Sequence, residues 1–180
     1  RHGKGHSVPP HLVNYRANLS ALHSIGVSQI ISVASVGGIH PDMAPGSLVV
    51  PHQMIDYTWG REMTVQSGTD GPVKHIDFTE PYAENVRQLL LNAAQKIAEP
   101  VINGAVYAAT QGPRLETAAE INRLSQDGAD IVGMTGMPEA GLARPYCMRR
   151  LVVLLVALAG ACAVAQLGLQ GIKWRGYKSG

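Results

Sequence analysis

Cysteine is nearly absent from this chain of 180 residues: Cys147 and Cys162 are the two, and they stand at no metal-ligand spacing. A disulfide scaffold and a cysteine-rich zinc module are thereby excluded, and the pair fits a reducing, cytoplasmic setting. A dominant charge is missing as well. Lys and Arg number 15 against 13 Asp and Glu, for a net charge of +2, and the basic residues are scattered. That leaves no nucleic-acid footprint. No signal peptide precedes the first motif, and the first residue is Arg rather than Met, so the chain reads as a piece of something longer. Long apolar runs are lacking until Leu151. What remains is enough apolar sequence, 46 % of residues, for the core of one domain.

Strands and helices alternate along this chain. From His11 to Ser24 the residues Leu12, Tyr15, Leu19 and Leu22 recur at helical spacing, and Gly26 stops the helix. Gln29 to Val36 reads as a buried Ile/Val strand ending in Gly37-Gly38. A glycine pair after such a strand suits close approach of the backbone to a ligand, or a tight turn without one. Ser47 to Pro51 is a short strand that leads into residues 53–58, and Trp59 to Lys74 is a polar surface excursion. His75 stands among carboxylates with no second histidine at metal spacing. A second amphipathic helix covers Tyr82 to Ala98, a strand covers Gly104 to Thr110, and another covers Ala129 to Val132. Pro138 is placed to open a further helix. The alternation implies an α/β fold, a largely parallel sheet wrapped on both faces.

The stretch from Thr110 to Glu139 is the densest in motifs. Ala118 to Asp130 is helical in pattern, and Thr117 with Glu120 forms a capping box, each side chain satisfying a free N–H at the helix start. Glu116 lies just outside that cap. A solvated acid favoured by the helix dipole and a ligand-reading carboxylate both suit this position.

Taken in order, Arg1-His2-Gly3, residues 14–18 (Asn-Tyr-Arg-Ala-Asn), Val36-Gly37-Gly38, Pro45-Gly46, His75-Ile76, Gly112-Pro113-Arg114, Gly133-Met134-Thr135 and Pro138-Glu139 form a set. That set resembles the trimeric purine nucleoside phosphorylases, and most closely their methylthioadenosine and methylthioinosine branch, from Arg1 to about Arg144. The resemblance implies a three-layer nucleoside phosphorylase fold, a central mixed β-sheet flanked by helices, here truncated. It implies phosphorolysis, in which phosphate attacks the anomeric carbon of a purine nucleoside to release free base and a sugar 1-phosphate. No metal or organic cofactor is implied, inorganic phosphate being a co-substrate. The implied partners are a purine nucleoside and phosphate within a homotrimer, with no nucleic acid and no membrane.

By the same resemblance Arg1, His2 and Thr135 are phosphate ligands, and the helix start after Thr135 adds backbone N–H donors. Ser35 and Gly37 are substrate-binding positions and Met134 packs under the ribose, though ordinary core packing suits Met134 equally. Leu115 covers the purine face, and His75 reaches the 5′ end of a nucleoside held by the neighbouring subunit. Glu116 occupies the position where 6-oxopurine branches carry a carboxylate that accepts the purine N1–H. A carboxylate repels the bare lone pair of an adenine N1, so Glu116 leans the specificity to methylthioinosine, inosine or guanosine over methylthioadenosine.

The chain departs from the family in three places. The N-terminal strand and Gly-rich phosphate loop are not in this sequence. Ala34 stands before Ser35 where Thr, Asn or Ser is usual, which removes a side-chain donor near phosphate and sugar. Beyond Arg144 the pattern fades, and Leu154 falls where a polar base ligand belongs. We therefore divide the chain into a nucleoside phosphorylase domain, residues 1–144, and a divergent apolar tail, residues 145–180. Leu151 to Leu169 carries no charge and is flanked by Arg149-Arg150 and Lys173, the length and setting of a transmembrane helix. A frame-shifted end or an aberrant core element are the other readings of this stretch. Besides the enzyme, a catalytically inactive fragment and a membrane-tethered protein are the functional alternatives.

Overall fold

The computed structural model describes residues 1–66, 68–69 and 71–146, and the backbone of 151–157. Among these residues seven strands form one mixed sheet: β1 (Ile30–Gly38), β2 (Leu48–Val50), β3 (Gln53–Asp56), β4 (Val101–Asn103), β5 (Val106–Ala109), β6 (Ile131–Gly133) and β7 (Leu151–Ala157). Their order is β3-β5-β6-β1-β7-β2-β4. β3, β5 and β6 run parallel to one another, β6 meets β1 antiparallel, and β7 runs parallel to β1 but antiparallel to β2. Among the described residues four α-helices, α1 (Tyr15–Ser24), α2 (Glu84–Lys96), α3 (Ala118–Gln126) and α4 (Glu139–Ala143), accompany the sheet.

Strand alternation separates the two sides of this sheet. On β5 and β6, Tyr107 and Ile131 join a large core with Leu19 of α1 and Ala140, Leu142 and Ala143 of α4. The residues next to them in sequence, Ala108 and Val132, join a second core with Ile121 and Leu124 of α3. Likewise Val49 belongs to the first core, while its neighbour Val50 packs on Val86 of α2. The sheet is thus a middle layer between helices, the three-layer arrangement expected.

Several boundaries differ from the sequence pattern, each for a local reason. Helix α1 starts at Tyr15 rather than His11, because Pro10–Leu12 forms a short 3₁₀ turn and Asn14 caps the helix, its Oδ1 accepting the Ala17 N–H at 2.9 Å. Leu12, counted in the apolar stripe, lies outside the helix and is 66 % exposed. The strand expected over residues 104–110 is β5, shorter at both ends, and β4 before it is a separate strand at the sheet edge, because Gly104 at φ +95° turns the chain between the two. Pro138 caps α4 instead of opening it. Gly37 and Gly38 finish β1 within the sheet, paired with Val132 and Ile131. A Cβ on Gly38 would lie 2.2 Å from the Met43 carbonyl oxygen, so contact within the fold accounts for that glycine.

The capping box of α3 is present. Thr117 Oγ1 accepts the Glu120 N–H at 3.2 Å, and Glu120 accepts the Thr117 N–H at 2.7 Å. Arg114 donates twice more to Glu120, at 2.8 and 2.7 Å. The Arg114 guanidinium and then the Thr117 amide lower the Glu120 carboxyl from its ordinary 4.5 to about 2. A lowered carboxyl stabilises the fold above its ordinary value and loses that contribution as pH falls through the folded one. The Glu120 side-chain carbon should accordingly titrate near 2 in an NMR pH series, the cap loosening between pH 4.5 and 2; a midpoint near 4.5 would show the contacts absent in solution.

Residues 151–157 are a strand, paired along Ile30↔Leu151 to Val36↔Ala157. The apolar stretch 151–169 is therefore not one continuous helix, and its first part lies in the central sheet. Leu154 pairs in register with Val33. Among the described residues no helix is long and apolar enough to cross a membrane. The rest of that stretch, residues 158–169, and the tail to 180 lie outside the described residues.

Candidate active site

Two loops leave the carboxyl ends of adjacent parallel strands, residues 110–117 after β5 and 134–138 after β6. That end of a parallel sheet is where α/β folds place ligands. The first loop carries Leu115 and Glu116, the second Met134 and Thr135. Glu116 is half-buried, and its Oε1 accepts the Thr110 hydroxyl at 2.6 Å. Thr110 is itself anchored, its N–H donating to the Gly133 carbonyl at 2.8 Å. One carboxylate oxygen is thus held, while Oε2 accepts nothing among the described residues. Glu116 lines a cavity of about 370 Å³ together with Tyr57, Trp59, Thr110, Gln111, Arg114 and Arg123. Tyr57 donates to Asp127 Oδ2 at 2.6 Å; burial first and then this bond push its hydroxyl up to about 12.

Leu115 does not line that cavity and is 60 % exposed. Met134 folds back on the first loop. A Cβ on Gly112 would come within 2.4 Å of the Met134 sulfur, so glycine at φ +60° permits the contact.

Thr135 is buried, and its surroundings are set by Tyr107 beneath it. The Thr135 and Gly136 N–H groups donate to Tyr107 Oη at 3.3 and 3.2 Å. These two amides are directed into the protein. Burial raises the Tyr107 hydroxyl above its ordinary range, and the two amides temper the rise. The side chain fits because residues 133 and 136 are glycines: a Cβ at either would lie 2.6 Å or less from the tyrosine.

Arg1 is engaged by Glu139. Its Nη2 and Nε donate to the Glu139 carboxylate at 2.7 and 3.1 Å, Nη1 reaches the Val33 carbonyl at 3.3 Å, and Nη2 also contacts Ser32. Ser32 donates to Glu139 Oε2 at 2.6 Å. This places Ser32, buried, on the side of β1 that faces Arg1, while Ser35 is exposed. His2 Nδ1 donates to the Val8 carbonyl at 2.9 Å, and its ring stacks on His6 at 4.3 Å. Gly37 is half-buried, and His75 is exposed.

The residue that sequence reasoning missed is Arg61. It falls in the polar stretch 59–74, expected to be a surface excursion, yet it is only 9 % exposed. A lone arginine among polar residues carries no signal of burial. Thr110 was legible in principle, being the residue that follows a strand's carboxyl end. Among the described residues no group of three or more His, Cys, Asp or Glu is arranged to hold a metal ion.

The family described as the Phosphorylase superfamily matches residues 1–168. The chain belongs to that superfamily. It is 48 % identical over 167 residues to a probable S-methyl-5′-thioinosine phosphorylase of Xanthomonas campestris, covering 92 % of this chain and 67 % of that protein. It is 47 % identical over 161 residues to the 6-oxopurine nucleoside phosphorylase of Pyrococcus furiosus, covering 87 % of this chain and 61 % of that one. Among solved structures, methylthioadenosine phosphorylase from Schistosoma mansoni in complex with tubercidin superposes with a TM-score of 0.82 at 34 % identity, covering 87 % of this chain and 62 % of the other. The chain spans about three fifths of the length of most of these relatives, 58 % of a second probable S-methyl-5′-thioinosine phosphorylase, from Xylella fastidiosa.

Proposed function

We propose that this protein phosphorolyses a purine nucleoside with a 6-oxopurine base, 5′-methylthioinosine or a related 5′-methylthio-nucleoside. The carrying observation is Glu116, a carboxylate with one oxygen fixed by Thr110 and the other free to accept a purine N1–H. Relatives named for methylthioinosine and 6-oxopurine nucleosides, at 47 to 54 % identity, support the same base class. Methylthioadenosine, inosine and guanosine are the competing substrates.

Phosphate oxygen forms a bond to the anomeric carbon as the bond to the purine nitrogen breaks, and the purine departs with that electron pair. The sugar passes through a cation between two anions, so catalysis rests on positioning phosphate and stabilising charge on the base. In this reading Arg1, His2 and Thr135 hold phosphate, Ser35, Gly37 and Met134 line the sugar, and Leu115 and Glu116 meet the base. His75 serves the 5′ end of a nucleoside in the adjacent subunit of a cytoplasmic homotrimer. Neither a metal nor an organic cofactor takes part.

Initial rates of base release in phosphate buffer decide the reading: hypoxanthine from methylthioinosine should exceed adenine from methylthioadenosine. Adenine release at an equal or greater rate would reassign the base. A second reading, a chain that keeps the fold and an assembly surface without turnover, is favoured by one observation. Glu139 and Tyr107 occupy the Arg1 guanidinium and the 135–136 amides. No release of either base at high enzyme concentration selects that reading.

A further inference from the structure

Arg61 is a buried guanidinium with no carboxylate bonded to it among the described residues. It spends its donors on backbone and amide oxygens of two loops. Nη2 donates to the Gln111 carbonyl at 2.9 Å and the Thr110 carbonyl at 3.3 Å, and Nε donates to Gln111 Oε1 at 3.2 Å. Nη1 donates to the Met134 carbonyl at 2.9 Å and the Met137 carbonyl at 2.5 Å. The Tyr15 ring lies 5.8 Å from its central carbon, which adds a favourable aromatic face for the cation.

Burying a cation without a counter-ion is expensive, so its presence calls for a gain elsewhere. The gain is geometric. One side of the fork holds Thr110, whose hydroxyl orients Glu116; the other holds Met134, which precedes Thr135. Beyond the bond from the Thr110 N–H to the Gly133 carbonyl the backbone ladder of β5 and β6 has stopped, and the planar fork spans the gap that follows. We propose that Arg61 is a positioning residue whose guanidinium sets the separation of the loop carrying Glu116 from the loop carrying Thr135, registering the base to the phosphate. The proposal deepens the phosphorolysis reading and rests on it for its kinetic consequences.

Arg61→Lys keeps the charge but replaces five forked donors with three on a flexible stem, which cannot reach both loops. A misplacement of 1 Å costs about a hundredfold in rate, and the partial loosening in Arg61→Lys should lower kcat about tenfold. The preference for methylthioinosine over methylthioadenosine should fall with it, and KM for phosphate should rise. Arg61→Gln should lose more, and if it does not fold, the lysine variant still decides. A second readout needs no turnover. Hydrogen exchange of amides in 112–116 and 134–137 should quicken together in Arg61→Lys, while amides in α2 keep their rates. Two outcomes overturn the proposal: a lower melting temperature with base preference and phosphate KM unchanged, or exchange that quickens in one loop alone or equally in α2. Should the unmodified protein release no base, the phosphorolysis reading fails by itself, and the exchange comparison still decides whether Arg61 couples the loops.

Discussion

Glu116→Gln should lower kcat/KM for 5′-methylthioinosine about a hundredfold and leave 5′-methylthioadenosine within a few-fold, because a hydrogen bond to a charged acceptor is worth about 1.5 to 3 kcal/mol. The two substrates differ at purine N1, which carries a hydrogen in hypoxanthine and a lone pair in adenine. In the phosphorolysis reading the carboxylate accepts the hydrogen and strengthens its hold as negative charge develops on the departing base, and it repels the lone pair. Glutamine offers a weaker acceptor or, rotated, a donor that suits adenine. The Thr110 hydroxyl, bonded to Oε1 at 2.6 Å, can donate to the amide oxygen of the substituted side chain in the same way, so the loop should keep its place. Steady-state kinetics on both nucleosides give the ratio directly. Equal losses for the two would make Glu116 a helix-start acid and no more.

Glu139→Ala should destabilise the fold by about 3 to 5 kcal/mol, the cost of breaking a largely buried ion pair by removing one partner. Glu139 accepts two bonds from Arg1 and one from Ser32, joining α4 and β1 to the start of the chain. Both side chains of the pair are mostly withdrawn from water. Alanine would leave the guanidinium facing the Val33 carbonyl and the Ser32 hydroxyl without a counter-charge. Glu139→Gln keeps an acceptor oxygen and should lose less than alanine does. In the phosphorolysis reading Glu139 also aims Arg1, so KM for phosphate should rise in the glutamine variant. Urea unfolding midpoints measure the first effect and initial rates the second. A shift within about 0.5 kcal/mol in Glu139→Ala, the size of an ordinary surface change, would show the pair to be solvent-screened.

Features set by near neighbours in the chain were legible in the sequence. The α3 cap depends on Thr117 and Glu120, three positions apart, and it formed as the pattern implied. The Ile/Val run marked β1 as a strand but not its burial, since Ile31 and Val33 are more than half exposed; an apolar run has no phase, so nothing told that Ser32 would point inward and Ser35 would not. Arg61 was hidden because its acceptors lie 49 to 76 residues away, at Thr110, Gln111, Met134 and Met137. The same holds for Tyr107, which reads as a strand residue until the 135–136 amides close over it. The family motifs located the loops of the candidate site, since each is a contiguous string. Which donors those loops would spend on the protein itself was a question of tertiary contact.

Phosphorus NMR of one reaction, with methylthioinosine and inorganic phosphate added together, tests the central claim most directly. Phosphorolysis requires that phosphate be consumed, a sugar 1-phosphate appear and hypoxanthine be released in equal amounts. Hypoxanthine released while the phosphate signal stays constant would mean hydrolysis and contradict the account.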